Sequence, residues 1–143
     1  MSEGDGLNQL RPRVLYTAYH VRDLKRSLAF YAGVLGMREV MRFQLPSGEW
    51  ECVMAFPDAE GKPEGAGVIL MWREGREADY QLGDGYSRLV IKVSDLDLAV
   101  ASLASHAVRM VVPPSDAGSM RFAICADPDG YQVELLQLGA KKG

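Results

Sequence analysis

Three residues of this chain carry groups that could together bind and transform a small polar molecule. The guanidinium of Arg88 can hold a carboxylate or an oxyanion through two parallel hydrogen bonds, and the phenol of Tyr16 can donate one more. The carboxylate of Glu134 can accept a proton. The three lie far apart in the sequence, so their meeting depends on the elements that position them.

A tandem repeat organises those elements. Residues 19–24 (Tyr-His-Val-Arg-Asp-Leu) and 91–96 (Ile-Lys-Val-Ser-Asp-Leu) are similar, and each ends a strand pattern and opens a helix pattern at a constant offset of 72 residues. Such an offset indicates a duplicated βαβββ unit. We predict a single domain over residues 13–138 with modules at 13–77 and 85–138. Its fold class is α+β, with helices covering curved mixed sheets around a cavity.

The individual elements follow from hydrophobic periodicity and turn residues. Asp23 and Asp95 are predicted helix N-caps, and Gly36 is predicted to end the first helix in the left-handed conformation. Residues 1–12 are predicted to form a flexible arm and residues 139–143 a tail. The predicted helices cover 24–35 and 96–107, and the strands cover 13–21, 37–46, 49–57, 65–73, 86–94, 108–113, 120–126 and 131–138.

Alternation along the strands assigns side chains to faces. Arg88 and Lys92 share one face of their strand, and cations are costly in a dry core, so this face should line a solvent-reachable cavity. The repeat then pairs Tyr16 with Arg88 and Leu70 with Glu134. The alternative is that Arg88 and Glu134 form a salt bridge without a functional role. The full predicted cavity face consists of Tyr16, Ala18, His20, Val68, Leu70, Trp72, Arg88, Val90, Lys92, Glu134 and Leu136.

Composition narrows the class of protein. The chain has 143 residues, with 48% hydrophobic and 24% charged side chains, as in an ordinary globular domain. A net charge of −3 without any basic run argues against nucleic acid, and no apolar segment is long enough to span a membrane. Cys52 and Cys125 lie on predicted strands without metal-ligand spacing, which favours buried thiols in a cytoplasmic protein.

Several motifs resemble glyoxalase I (lactoylglutathione lyase) and the vicinal-oxygen-chelate superfamily around it. They are Arg13-Val-Leu-Tyr-Thr-Ala-Tyr-His-Val-Arg-Asp-Leu24, Phe30-Tyr-Ala-Gly-Val-Leu-Gly-Met37, Asp79-Tyr-Gln-Leu-Gly83 and Asp127-Pro-Asp-Gly-Tyr131. The resemblance extends over residues 13–138. It implies the glyoxalase I-like fold and a homodimer whose cavities are built from modules of both subunits.

The resemblance also identifies the positions at which glyoxalase I binds a catalytic divalent metal. These positions hold Tyr16, Leu70, Arg88 and Glu134, of which only Glu134 is an ordinary ligand. Leucine cannot coordinate and arginine repels a cation, so no cofactor is expected. The alternative is a weakly held ion, such as Mg²⁺, bound by Glu134 together with substrate. The family's glutathione-binding arginine is replaced by His20, which argues against glutathione as well.

Three functions remain open from the sequence. The first is a glyoxalase I-like protein with a degenerate metal site that binds a small anionic or carbonyl-containing molecule. In this case Arg88 and Tyr16 would stabilise a developing oxyanion and Glu134 would be the base of a metal-independent proton transfer, lyase or isomerase reaction. The second is a non-catalytic protein of the bleomycin-resistance type that sequesters a drug or toxin. The third is a metal-dependent lactoylglutathione lyase, against which the ligand set argues. His20, Leu70, Trp72, Lys92 and Leu136 are the predicted substrate contacts.

Overall fold

Two four-stranded sheets form the protein, one from each copy of the repeat. The computed structural model describes residues 6–139. The first module contains β1 (Tyr16–His20), α1 (Leu24–Leu28), a π-helix (Ala29–Val34), β2 (Arg38–Gln44), β3 (Trp50–Pro57) and β4 (Pro63–Trp72). The second contains β5 (Arg88–Lys92), α2 (Leu96–Ser105), β6 (Met110–Ala117), β7 (Met120–Ala126) and β8 (Gln132–Leu138). The strand orders are β1-β4-β3-β2 and β5-β8-β7-β6, with β1–β4 and β5–β8 parallel. The predicted tandem α+β fold is therefore confirmed.

The helix boundaries follow local capping chemistry. Asp23 accepts a hydrogen bond from the backbone N–H of Arg26 at 3.2 Å, and Asp95 accepts one from Leu98 at 3.1 Å, so both predicted N-caps are confirmed. The first helix continues beyond α1 as a π-helix, which the periodicity did not predict. Gly36, at φ 87°, adopts the left-handed conformation expected after the end of a helix.

The core lies between the helix-facing sides of both sheets and is one continuous cluster. Strands β3 and β4 contribute alternate apolar residues to it, and β7 and β8 contribute their counterparts. Its fully buried members include Val21, Tyr31, Cys52, Val68, Leu70, Leu96, Ala123, Cys125 and Val133. The opposite face of each sheet points away from this shared core, and the candidate site lies on those faces.

A polar clasp joins the modules at the turn between β7 and β8. Asp129 accepts hydrogen bonds from the backbone N–H of Arg22 and the guanidinium of Arg26, both at 3.0 Å, and from the hydroxyl of Ser27 at 3.3 Å. Asp127 accepts one from the hydroxyl of Tyr31 at 2.7 Å. The sequence identified the two aspartates only as turn formers. In the fold they also hold the first helix against the second module.

Several element bounds differ from the sequence prediction. Strand β4 begins at Pro63 instead of residue 65, and β6 runs from Met110 to Ala117 instead of 108–113. Part of the predicted arm and most of the predicted tail lie outside the described residues, and Asn8–Leu10 forms one 3-10 turn. Among residues 6–139, no helix has both the length and the apolar character needed to cross a membrane.

Candidate functional site

An ion pair on the open face of the second sheet forms the centre of the candidate site. The Nε of Arg88 donates to the Oε1 of Glu134 at 2.7 Å, and Nη1 of Arg88 donates to the hydroxyl of Ser87 at 2.8 Å. The Glu134 side chain is 9% exposed and that of Arg88 is 37% exposed. The carboxylate is therefore nearly buried against the sheet, and the guanidinium covers it while part of its own surface is open to solvent.

The register of β5 and β8 explains why these residues meet. Val90 lies opposite Glu134 and Lys92 lies opposite Leu136, so all four side chains project from the same face as Arg88. This agrees with the face that alternation predicted for the second module. Lys92 is exposed and has no ion pair among the described residues. The face thus carries two cations and one buried carboxylate.

In the first module the predicted face is wrong by one residue. Leu70 lies opposite Tyr19 in β1 and opposite Cys52 in β3, and it is fully buried in the core. Trp72, two residues further along β4, projects from the same face as Leu70 and packs against the same core. Ile69 and Met71 occupy the open face instead, because they lie opposite Ala18 and His20. Neither Leu70 nor Trp72 therefore lines a face with Tyr16.

Tyr16 does not join the ion pair within one chain. It lies on the open face of the first sheet, half-buried, and no hydrogen bond or ring contact links it to Arg88 or Glu134 among residues 6–139. The two open faces point away from the common core. The structure thus brings Arg88 together with Glu134, Lys92 and Leu136, and leaves Tyr16 and His20 on the other sheet.

His20 is engaged by protein groups. Its Nδ1 lies 2.7 Å from the Oε1 of Glu49, an ion-pair distance at an angle that falls short of a hydrogen bond. Its ring stacks on Tyr80 with centroids 5.1 Å apart, and the guanidinium of Arg76 lies 3.5 Å from the centre of the Tyr80 ring. The imidazole is therefore held by protein groups, while 44% of its side chain remains exposed.

The positions that would hold the family's metal do not fit one. Leu70 is in the core, Arg88 places a positive charge against Glu134, and Tyr16 is on the other sheet. Within residues 6–139 no three His, Cys, Asp or Glu side chains come together as a ligand group. A catalytic zinc-type site needs about three protein ligands. We therefore assign no step of a reaction to a metal at this site.

What the site can do follows from the groups it holds. A guanidinium over a carboxylate can bind an anion through its remaining N–H groups and can stabilise an oxyanion.

Sequence reasoning missed Ile69, Met71 and the half-buried Glu51, which share the open face of the first sheet. Aligning the repeats so that Ile69 corresponds to Glu134, an offset of 65 instead of 64 residues, would have placed Ile69 and Met71 on the open face.

Comparison with known proteins agrees with this fold. Residues 13–135 match the family model of the Glyoxalase/Bleomycin resistance protein/Dioxygenase superfamily, and the chain belongs to that superfamily. It is 32% identical over 131 residues to a probable lactoylglutathione lyase of Synechocystis sp., an alignment covering 90% of this chain and 98% of the relative. It is also 32% identical over 127 residues to the lactoylglutathione lyase of Salmonella typhimurium, covering 87% and 92%.

Solved structures give the same result. The trypanothione-dependent glyoxalase I of Leishmania major superposes with a TM-score of 0.74 at 28% identity, covering 88% of this chain and 86% of the other. Glyoxalase I of Zea mays superposes with a TM-score of 0.77 at 25% identity, covering 91% of this chain and 46% of the maize chain. The chain is thus glyoxalase I-like in sequence and in fold.

Proposed function

We propose that this protein binds a small anionic or carbonyl-containing molecule at Arg88 and transfers a proton within it, without a metal. The observation that carries the proposal is the 2.7 Å contact between Arg88 and a nearly buried Glu134, on a face whose other side chains include the apolar Val90, Leu136 and, from β7, Phe122 and Ile124. A mostly apolar surface with a few convergent polar groups is the usual form of a small-molecule site. Lys92 adds a second positive charge to the same face.

The chemistry follows from the two partners. The ligand's carboxylate or carbonyl oxygen would bind the N–H groups of Arg88 that Glu134 does not use. Glu134 would then take the proton from the carbon next to the carbonyl, and the negative charge that develops on the oxygen would be held by the guanidinium. In a ligand with a hydroxyl on that carbon, delivery of the proton to the former carbonyl carbon, with the hydroxyl proton moving to the other oxygen, completes an isomerisation. In a ligand with a leaving group on the next carbon, expulsion of that group with its bonding electrons completes a lyase reaction.

Pyruvate is a suitable probe because it has both a carboxylate and a carbonyl next to exchangeable protons. In D₂O with excess EDTA, we expect the protein to bind pyruvate and to accelerate exchange of its methyl protons, as followed by proton NMR. Arg88→Gln should weaken binding by about tenfold or more, because a charge-assisted hydrogen-bonded pair is lost. Glu134→Gln should retain binding but lose the exchange.

The matched control is Arg42→Gln, which breaks an exposed pair with Glu39 on the other face of the first sheet. It should leave binding and exchange unchanged. Equal pyruvate affinity in wild type and Arg88→Gln would refute the binding role, and exchange that stops when EDTA is added would refute the metal-free chemistry. Binding with pyruvate recovered unexchanged would favour the sequestering function instead. S-lactoylglutathione, the molecule after which the relatives are named, should be tested in parallel.

We further propose that a second copy of the chain covers the open faces. Met41 is 52% exposed and Phe43 is 39% exposed on the face of the first sheet, and Val90 is 48% exposed on that of the second. Apolar side chains grouped on one face are typical of an interface. In such a dimer, Tyr16 of one copy could reach the Arg88 of the other. This would supply the hydrogen-bond donor that is absent from the ion pair in one chain.

The oligomeric state tests this arrangement directly. Light scattering after size exclusion should give a dimer mass for the wild type and a monomer mass for Phe43→Glu. Leu98→Glu is the matched control, because Leu98 is 71% exposed on the outer helix α2. It should remain a dimer. A monomeric wild type, or a dimer that survives Phe43→Glu, would contradict the proposal.

A further inference from the structure

A cavity lies where the two modules meet, and neither Arg88 nor Glu134 is among its lining residues. Its volume is about 510 Å³, within the range of small-molecule sites, and it is partly open to solvent. The end of the π-helix and residues 66–68 of β4 form one wall, and β5 and α2 form the other. Its lining is mainly apolar, with Met37, Phe56 and Ile91 among its residues. We call it the junction cavity.

The internal repeat explains why this space is not filled. The equivalent place between the modules, here named the aromatic junction, is packed with four rings from Tyr19, Phe30, Tyr31 and Tyr131. Adding 72 residues to Tyr19, Phe30 and Tyr31 gives their counterparts in the second module, and subtracting 65 from Tyr131 gives its counterpart in the first. The counterparts are Ile91, Ser102, Leu103 and Ala66, all of which line the junction cavity. Loss of ring volume at equivalent positions leaves the space.

A hydrogen bond in the aromatic junction shows what chemistry suits the cavity. Val21 donates to Met71 in β4, so the preceding residue, His20, turns its carbonyl toward the open edge of β1. The hydroxyl of Tyr131 donates to that carbonyl at 2.8 Å. A phenol therefore fills the aromatic junction and satisfies the strand edge at the same time.

The corresponding backbone carbonyl at the edge of β5 has no hydrogen-bond donor in the junction cavity. Val93 donates to Leu136 at 2.9 Å, so Lys92, the counterpart of His20, turns its carbonyl away from β8 and toward the cavity. Ala66 takes the place of Tyr131 and has no hydroxyl. Among residues 6–139 no donor reaches the carbonyl of Lys92. A carbonyl beside an apolar space favours a ligand with one donor group.

We propose that the junction cavity is a binding site for a small phenol of one or two rings. The aromatic ring would occupy the space that Phe30, Tyr31 and Tyr131 fill in the aromatic junction. The hydroxyl would donate to the carbonyl of Lys92, as Tyr131 donates to His20. This site uses the main chain of β5 and the inner surface of the modules, so it does not depend on the chemistry proposed at Arg88.

The test is an NMR titration of the ¹⁵N-labelled full chain with 4-ethylphenol and with its methyl ether, 4-ethylanisole. We expect 4-ethylphenol to shift the backbone signals of residues 89–93 and 99–103. The ether, which keeps the ring and lacks the donor, should bind about fivefold or more weakly, because one hydrogen bond is lost. Equal affinity of the two compounds, shifts confined to the Arg88 face, or no saturable shifts would each overturn the proposal.

Filling the cavity gives an independent test. Ser102→Phe restores the ring that Phe30 provides in the other module and should abolish phenol binding. Ala101→Phe is the matched control, because Ala101 is exposed on the same helix and does not line the cavity. It should bind as the wild type does. If Ser102→Phe does not fold, Ala66→Tyr, which restores the counterpart of Tyr131, serves the same purpose. A folded filling variant that still binds 4-ethylphenol would refute the site.

Discussion

The hydroxyls of two neighbouring buried tyrosines should have opposite effects on stability. Tyr31 is fully buried, and its hydroxyl donates to Asp127 at 2.7 Å. Tyr31→Phe keeps the ring and removes only this hydrogen bond to a buried carboxyl group. Hydrogen bonds to charged groups contribute about 1.5–3 kcal/mol, so the free energy of unfolding should fall by that amount. For a chain of this size the melting temperature should fall by about 3–12 °C.

Tyr19 is the matched control within the same cluster. Its ring lies 6.1 Å from that of Tyr31, but its buried hydroxyl has no hydrogen-bond partner among the described residues. The hydroxyls are near enough to affect each other's pKa, and burial raises the pKa of both. No hydrogen bond joins the two hydroxyls, because that of Tyr31 donates to Asp127. Tyr19→Phe removes a buried polar group without a partner, so stability should stay level or rise by up to about 1 kcal/mol.

Urea denaturation at neutral pH, monitored by circular dichroism, measures both changes. Similar m-values would show that both variants unfold the same structure. The reasoning requires Tyr31→Phe to be clearly less stable than Tyr19→Phe. Equal losses would mean that the ring environment, and not the hydrogen bond to Asp127, determines the result. A loss only in Tyr19→Phe would refute the assignment of its hydroxyl as a group without a hydrogen-bond partner.

Three further predictions concern pH, thiols and the clasp. Burial raises the pKa of Asp127, so the folded state binds its proton more tightly than the unfolded state. The stability of wild type relative to Asp127→Asn should be greatest below the unfolded-state pKa of about 3.9, and it should fall as the pH rises through the raised folded-state pKa of Asp127. Urea unfolding of both proteins from about pH 3 to pH 7 measures this difference. Burial raises the pKa of Cys52 and Cys125 to about 11, so both thiols should resist Ellman's reagent at about pH 8 and react after unfolding; rapid native labelling would contradict this. Asp129→Ala leaves three donors without their acceptor and should cost about 2–4 kcal/mol, whereas Asp116→Asn, in an exposed ion pair, should cost less than about 1 kcal/mol; equal effects in thermal denaturation would refute the role of the clasp.

Local chemistry made much of the fold predictable. The two Asp N-caps and the left-handed Gly36 depend on interactions within a few residues, so the sequence is enough to locate them. The constant offset between residues 19–24 and 91–96 predicted the duplicated architecture. Alternation also predicted that Arg88 and Glu134 share a face, because the parallel pairing of β5 and β8 is regular.

The face of β4 was not predictable in the same way. The pairing of β3 with β4 is irregular between Ala55 and Pro57, and Gly67 lies so close to β3 that a Cβ there would collide with the carbonyl oxygen of Met54. A shift of one residue in register moves every side chain to the opposite face. Alternation predicted Leu70 on the open face, and the register put Ile69 there.

The sequence by itself determined the two modules, their caps and the shared face of Arg88 and Glu134. These features depend on short-range periodicity and on a repeat that can be counted along the chain. The tertiary structure alone decided that Tyr16 stays apart from Arg88 in one chain, and that the second junction is left open where the first is packed with rings. Both depend on how the modules pack against each other, and packing is a property of surfaces that no local pattern encodes.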